Sequence, residues 1–201
     1  MKTAILGGSF DPIHLGHLFL LHSVVSRTEY RNIYVIPASQ SNFKRENACT
    51  ASDHDRLEMV NLAVRDYREI YPQDQVRITV SDMELKRGGI SYTLDTVKAI
   101  LDTEKQDRVG LIIGDDHICG LTRWYGFEEL KTKVVFIVCR RIAGRADFEN
   151  TQMPEGTQYI LLDVDQVSPE SATAIRENRE QSMAFLSPGV REYVRSENLY
   201  N

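Results

Sequence analysis

Short apolar runs alternate with longer segments of helical spacing along the 201 residues of the chain. Residues 3–6 are apolar and stop at Gly7-Gly8, which reads as a buried strand entering a tight turn. Residues 15–26 carry apolar side chains on nearly every face, as a buried helix does. A second strand is predicted over 32–36, closed by Pro37 and followed by a polar loop over 38–52. Asp53 is placed to cap a helix over 54–67, where Leu57, Val60, Val64 and Tyr67 share one side. Residues 76–80 form a third run. After Gly88-Gly89 a helix is predicted to start within SYTLDTVKAIL, with Leu94, Val97, Ile100 and Leu101 together. A fourth strand over 109–113 leads into a helical stretch to about 130. A fifth covers 133–138, a loop covers 144–157 and a short sixth strand covers 159–162. One helix begins near Ser171 and a last one follows Ser187-Pro188.

Strands alternating with helices imply βαβ crossovers and a parallel sheet covered on both faces. The expected class is α/β: a Rossmann-like, doubly wound parallel sheet of five to six strands flanked by helices. One domain over 1–201 is expected, with a helical C-terminal portion from about 168. Such sheets bind ligands beyond the carboxyl ends of their strands. Here GGSFDPIHLGH, the loop with Asn42 and Lys44, Gly114-Asp115-Asp116, Arg140-Arg141 and SATAIR each follow a different strand. All five places therefore lie along one edge.

Composition narrows the partners. The net charge of −5 argues against general nucleic-acid binding, which needs basic surface, while leaving room for a small basic phosphate pocket. Cys49, Cys119 and Cys139 are far apart and form no CxxC, so a disulfide framework or zinc knuckle is not expected. The opening apolar run is too short for a secretory signal, and no window approaches a membrane span. The expectation is a cytoplasmic protein with neither nucleic-acid nor membrane partners; a homo-oligomer stays open.

GGSFDPIHLGH, residues 7–17, carries the chemistry. Gly7 and Gly8 let backbone approach a ligand closely, and Pro12 stiffens the loop. His14 and His17, three apart at a helix start, can face one way, with Gly16 leaving that face open. A helix start offers unpaired N–H groups and partial positive charge, both suited to phosphate. The string matches neither GxGxxG nor GxxxxGK[ST]. Two other readings remain from the residues alone. The histidines could pack or face solvent in an ordinary strand–turn–helix, or share a metal, although no third ligand stands beside them. His22, His54 and His117 read as surface or structural.

GGSFDPIHLGH closely resembles the first signature of the HxGH nucleotidyltransferase superfamily, whose loop binds nucleoside-triphosphate phosphates. That superfamily includes adenylyltransferases of NAD and CoA synthesis, cytidylyltransferases and class I aminoacyl-tRNA synthetases. Later motifs narrow it. Ser171-Ala-Thr-Ala-Ile-Arg176 is similar to the SSTxIR motif of the nicotinate-nucleotide adenylyltransferases, with Ala172 at the second serine. Residues 84–96, ELKRGGISYTLDT, resemble that family's ELxRxGxSYTxDT segment, and IIGDDHICGLTRWYGFEEL resembles its IxGxDxxxxFxxWxxxxEL, with Leu121 near the usual aromatic. Lys44 stands in SNFK where the family shows PPHK, and Arg140-Arg141 match its strand-end basic pair. The closing LSPGVREYVRSENLY also looks like the family's last helix. Each string has a plainer reading: a capped helix for SATAIR and SYT, a core tryptophan for Trp124, a solvated basic pair for Arg140-Arg141. Their order along one chain is the more specific signal.

The resemblance implies transfer of AMP from ATP to nicotinate mononucleotide by direct in-line attack, giving deamido-NAD and pyrophosphate. It implies charge stabilisation by His14, His17, Lys44 and Arg176. ATP would meet Gly7, Gly8, Ser9, Phe10, Gly16 and the two histidines, then Gly114 and Asp116, then Ser171, Thr173 and Arg176. Nicotinate mononucleotide would meet Ser9, Phe10 and Lys44, the Ser91-Tyr92-Thr93 turn, Asp116, the rings of Trp124 and Tyr125, and Arg141. Mg2+ would ride on ATP, since no dedicated carboxylate cage is visible. Rival readings are a nicotinamide-mononucleotide or dual-specificity enzyme and a non-catalytic nucleotide sensor. Pantetheine-phosphate adenylyltransferase is a further rival, which SYTLDT and the Trp124 segment disfavour.

Overall fold

The structure, a computed structural model, describes residues 1–41, 49–141, 152–164, 172–177 and 183–200. The first half runs β1 (Lys2–Gly8), α1 (Leu15–Arg27), β2 (Tyr30–Pro37), β3 (Gln40–Ser41), α2 (Asp53–Ile70), β4 (Arg77–Val80), α3 (Met83–Arg87), β5 (Ile90–Ser91) and α4 (Thr93–Glu104). Then come β6 (Val109–Gly114), a 3-10 segment (Asp115–Arg123), α5 (Phe127–Lys133), β7 (Val134–Arg141), β8 (Tyr159–Val164), α6 (Ala172–Glu177) and α7 (Pro188–Ser196).

Six strands form one parallel sheet in the order β4-β2-β1-β6-β7-β8. This is the doubly wound arrangement expected from the alternation of strands and helices. Alternate residues of each strand feed opposite cores, because successive side chains point to opposite faces. Ala4 and Leu6 join Ile33, Val35 and Ile112 on the face covered by α1, α2 and α7. Ile5 joins Ile36, Leu111, Ile113 and Phe136 on the face covered by α4, α5 and the 3-10 segment. Strands buried on both sides read as continuous apolar runs, which is why they stand out in the sequence.

Local chemistry sets the helix ends. Ser52 caps α2: its hydroxyl accepts the Asp55 N–H at 3.1 Å, and Asp53 is the first helical residue rather than the cap. Asp53 instead meets Arg56 one turn on, at 2.5 Å. The C-terminal α7 is held on α2 by Asp66, which accepts the Gly189 N–H at 2.8 Å, and by Asp55, which accepts the Tyr193 hydroxyl at 2.9 Å. No helix among the described residues is long and apolar enough to cross a membrane.

Candidate active site

The chain leaves β1 toward one face of the sheet and leaves its neighbour β6 toward the other. α1 packs into the first core, and the 3-10 segment packs into the second. The carboxyl ends of these two strands therefore border a crevice at the point where strand order reverses.

Residues 9–14 bridge β1 and α1, and buried polar bonds hold them. Phe10 is buried at a positive φ of 47°, and its ring lies over Gly8. A Cβ at Gly8 would sit 3.1 Å from that ring, a tight contact that the Phe10 ring would have to relieve by shifting a few tenths of an ångström. At Gly7, which is exposed, the protein itself leaves room for a Cβ. Arg56 is fully buried and donates to the Ser9 carbonyl at 2.6 Å and to the Ser39 carbonyl at 3.4 Å. One guanidinium thus ties the loops after β1 and β2 together. Asp11 is buried, and its carboxylate accepts the Thr50 and Ala51 N–H groups at 2.8 and 3.0 Å and the Tyr200 hydroxyl at 2.8 Å.

His14 is the N-cap of α1, and His17 lies in its first turn. Their ring centroids are 3.9 Å apart, and the edge of Phe10 meets His17 at 5.1 Å. His17 Nδ1 accepts the backbone N–H of His14 at 3.2 Å, so a neutral His17 carries its proton on Nε2. Desolvation beneath this cluster, and next the nearby His14, hold the His17 imidazole well below its ordinary pKa. His17 is therefore a neutral N–H donor at physiological pH; its side chain is half-buried, and Gly16 beside it is buried rather than an open face.

Arg176 reaches this loop from α6. It donates to the Asp11 carbonyl at 2.6 Å and to the Thr173 hydroxyl at 3.2 Å, and lies 3.9 Å from an Asp11 carboxylate oxygen. The structure thus brings His14, His17, Thr173 and Arg176 to the loop after β1. Lys44 and Ser171 lie outside the described residues. Arg141 ends β7, with its side chain also outside them.

The opposite lip is aromatic. Gly114 ends β6, and a Cβ there would collide with the Asp116 carboxylate, so the glycine makes room for that acid. Asp116 is exposed, whereas its neighbour Asp115 is fully buried. Trp124 packs on the second core and meets His117 edge-on at 5.7 Å. Tyr125 is 57% exposed and faces Tyr92 at 4.4 Å between ring centroids. These are the rings that the sequence nominates for stacking.

Helix α4 starts at Thr93, inside the expected SYTLDTVKAIL, but without a serine or threonine cap. Ser91 belongs to β5, paired with Ser41, and its hydroxyl accepts the Ser39 N–H at 3.1 Å. Tyr92 is the N-cap of α4 and makes no side-chain cap bond; Thr93 is the first helical residue. Neither Ser91 nor Thr93 caps the helix, because Ser91 is spent on the β3–β5 ladder. The rest of the string closes the loop on itself: Thr96 donates to the buried Glu84 at 2.5 Å and accepts from Arg87 at 3.2 Å. Gly88 and Gly89 both take positive φ, 67° and 68°, where glycine carries no Cβ penalty.

Against known proteins, the chain matches the Cytidylyltransferase-like family model over residues 5–178. It is 32% identical to a Treponema pallidum protein named "Probable nicotinate-nucleotide adenylyltransferase", covering 100% of this chain and 99% of that one. The Oceanobacillus iheyensis protein of the same name is also 32% identical, over 99% of this chain and 96% of its own. The chain belongs to the nicotinate-nucleotide adenylyltransferase family. The fold agrees with the solved Plasmodium falciparum nicotinic acid mononucleotide adenylyltransferase at a TM-score of 0.76. That protein in complex with APC is 20% identical over 99% of this chain and 96% of its own; in complex with NaAD it is 21% identical over 100% and 98%.

One family position, Arg140, and two other residues of reactive type, Cys139 beside it and His22 on α1, are engaged in structure. Arg140 pairs with Asp163 of β8, its strand partner in register, at 2.7 Å. Burial, and next Asp115, push the Cys139 thiol up to about 12, so it packs rather than reacts. His22 bonds Asp74 at 2.8 Å and stacks on Tyr71, far along α1 from the loop. Among the described residues no group of three His, Cys, Asp or Glu is spaced to hold a metal ion. Sequence reading missed Asp11, Arg56 and Tyr200. A buried carboxylate inside the glycine-rich loop is a legible anomaly at Asp11, since it needs donors of its own; Tyr200 carries no local signal.

Proposed function

We propose that the crevice joins nicotinate mononucleotide to the AMP part of ATP by one in-line displacement, with the two histidines, Lys44 and Arg176 as charge stabilisers. The observation that carries this reading is the close His14–His17 pair at the start of α1, beside Arg176. The acceptor is already an anionic phosphate, so it needs no strong base. Its oxygen forms a bond to the α-phosphorus of ATP while the bond to the bridging oxygen of the β-phosphate breaks, and pyrophosphate leaves with that electron pair. What the protein supplies is alignment of two anions and stabilisation of the charge that develops.

Each group then has a role. His17 donates its Nε2–H without adding a proton to the balance, and His14 donates beside it. The first-turn N–H groups of α1 and its dipole add positive potential. Arg176 and Thr173 follow the departing phosphates, and Lys44 meets the phosphates from the loop after β2. Gly7, Gly8, Ser9, Phe10, Gly16, Gly114, Asp116 and Ser171 shape the ATP side. Trp124 and Tyr125 stack on the pyridine ring, the Ser91–Thr93 turn offers N–H groups to its carboxylate, and Arg141 meets the mononucleotide phosphate. Magnesium belongs to the substrate and spreads triphosphate charge.

The test is pyrophosphate release from magnesium-ATP, with deamido-NAD identified as the co-product. Turnover with nicotinate mononucleotide and little with the nicotinamide form is expected. Equal turnover with both would make the ring pocket dual-specific. ATP binding with no turnover would contradict the enzyme reading and favour a sensor.

A further inference from the structure

Tyr200 belongs to the end of the chain, beyond α7, yet its hydroxyl lies 2.8 Å from the Asp11 carboxylate, 189 residues away in sequence. It is 8% exposed and packed in the same core as Phe10, Ile13 and Leu18. Its φ is +62°, a region that bulky L residues rarely adopt, and Asn198 two residues earlier is at +54°. A tyrosine held at such a backbone angle is over-determined by its surroundings. Leu199 donates to the Val194 carbonyl at 3.0 Å, turning the chain back off α7. α7 is itself anchored on α2 by Asp66 and Asp55.

Asp11 has two claims on it. One oxygen accepts the Ala51 N–H and the Tyr200 hydroxyl; the other accepts the Thr50 N–H and lies 3.9 Å from Arg176. Arg176 aims its short bond, 2.6 Å, at the Asp11 carbonyl instead. Three neutral donors spread the carboxylate charge, which weakens its pull on the guanidinium. A carboxylate short of donors would draw Arg176 into a direct, charge-assisted pair. That pair, added to the bond Arg176 already makes to the Asp11 carbonyl, would hold the guanidinium against Asp11 more tightly and oppose its turning to an incoming anion.

We propose that the Tyr200 hydroxyl is a positioning group for nucleotide phosphate handling: it takes up part of the Asp11 carboxylate charge, so that Arg176, already bonded to the Asp11 carbonyl, is not drawn further into a carboxylate pair and can turn to the triphosphate. The C-terminal residues thus complete the active-site loop from the far end of the chain. The proposal rests on the reading of Arg176 as a phosphate ligand. It assigns no chemical step to Tyr200, and it predicts an effect on ATP rather than on the pyridine nucleotide.

The experiment is a kinetic cycle of Tyr200→Phe and Arg176→Ala, with melting curves for each protein. Tyr200→Phe keeps the ring and removes the hydroxyl. It is expected to lower kcat/KM for ATP about tenfold, as for an altered contact to developing charge, while KM for nicotinate mononucleotide stays within about twofold. Its melting midpoint should fall by only about 2–4 °C. In the Arg176→Ala background the same change should add less than about twofold. A lowered midpoint with unchanged kcat/KM for ATP would make Tyr200 merely structural and overturn the proposal. A full tenfold loss persisting without Arg176 would overturn it as well. If Arg176→Ala alone leaves kcat/KM intact, the reading of Arg176 falls and the proposal with it. If Arg176→Ala is crippled and Tyr200→Phe is not, only the proposal falls.

Discussion

The two lips of the crevice are built in opposite ways. On the lip after β1, hydrogen bonds hold the loop at several points: Arg56 donates to the Ser9 carbonyl, Asp11 accepts from Thr50, Ala51 and Tyr200, and His17 accepts from the His14 backbone. On the other lip the contacts described are between rings, Trp124 with His117 and Tyr125 with Tyr92, and Tyr125 is more than half exposed. On the proposed reading, in which the lip after β1 meets the phosphates and the aromatic lip the pyridine ring, the difference follows from the task. Stabilising developing charge requires donors aimed before the reaction, since reorienting them during it would cost part of the gain. Stacking on a flat ring tolerates some freedom, because the contact is broad and non-directional.

The contrast can be broken most directly at His17. His17→Ala should lower kcat about 10²–10³-fold with far-ultraviolet circular dichroism unchanged; an unchanged rate would remove the histidine from the mechanism. Arg56→Ala attacks the scaffold behind the same lip. It removes three bonds from a fully buried side chain, and urea denaturation should show a loss of roughly 2–4 kcal/mol. Loss of activity without loss of stability would mean that Arg56 acts otherwise than as a tie. On the ring lip, Trp124→Ala should raise KM for nicotinate mononucleotide roughly tenfold, the scale of one aromatic stacking contact, and leave KM for ATP within about twofold. A reversed pattern would exchange the roles of the two lips.

The smallest effect concerns pH. The native His17 pKa lies well below its ordinary value, so the native ring stays neutral where an unfolded histidine, near about 6.5, begins to take a proton. As pH falls through about 6.5, the unfolded state binds more protons than the native state, and His17 then disfavours folding. Above that range its contribution is level. Histidine proton resonances should show no His17 titration between about pH 6 and 8. A midpoint near 6.5 would contradict the neutral-donor assignment.

The sheet was legible because its strands are buried on both faces and its helices have helical spacing. β3, β5 and α3 were not, since two to five residues carry no periodicity. The Ser52 cap was misread by one residue, a common margin where two capping residue types adjoin. The glycine loop, the histidine pair and the aromatic segment could be found because each is contiguous in sequence. The network behind them could not: Arg56 reaches Ser9 across 47 positions and Tyr200 reaches Asp11 across 189. Contacts of that separation leave no local pattern.

The central claim is that His14 and His17 act as hydrogen-bond donors to a single displacement and not as nucleophiles. It is tested most directly by turning over ATP made chiral at the α-phosphorus with sulfur and isotopic oxygen. One in-line displacement predicts inversion at phosphorus in the dinucleotide product. Retention would require two displacements through a nucleotidyl-histidine or similar covalent intermediate, and would contradict the account.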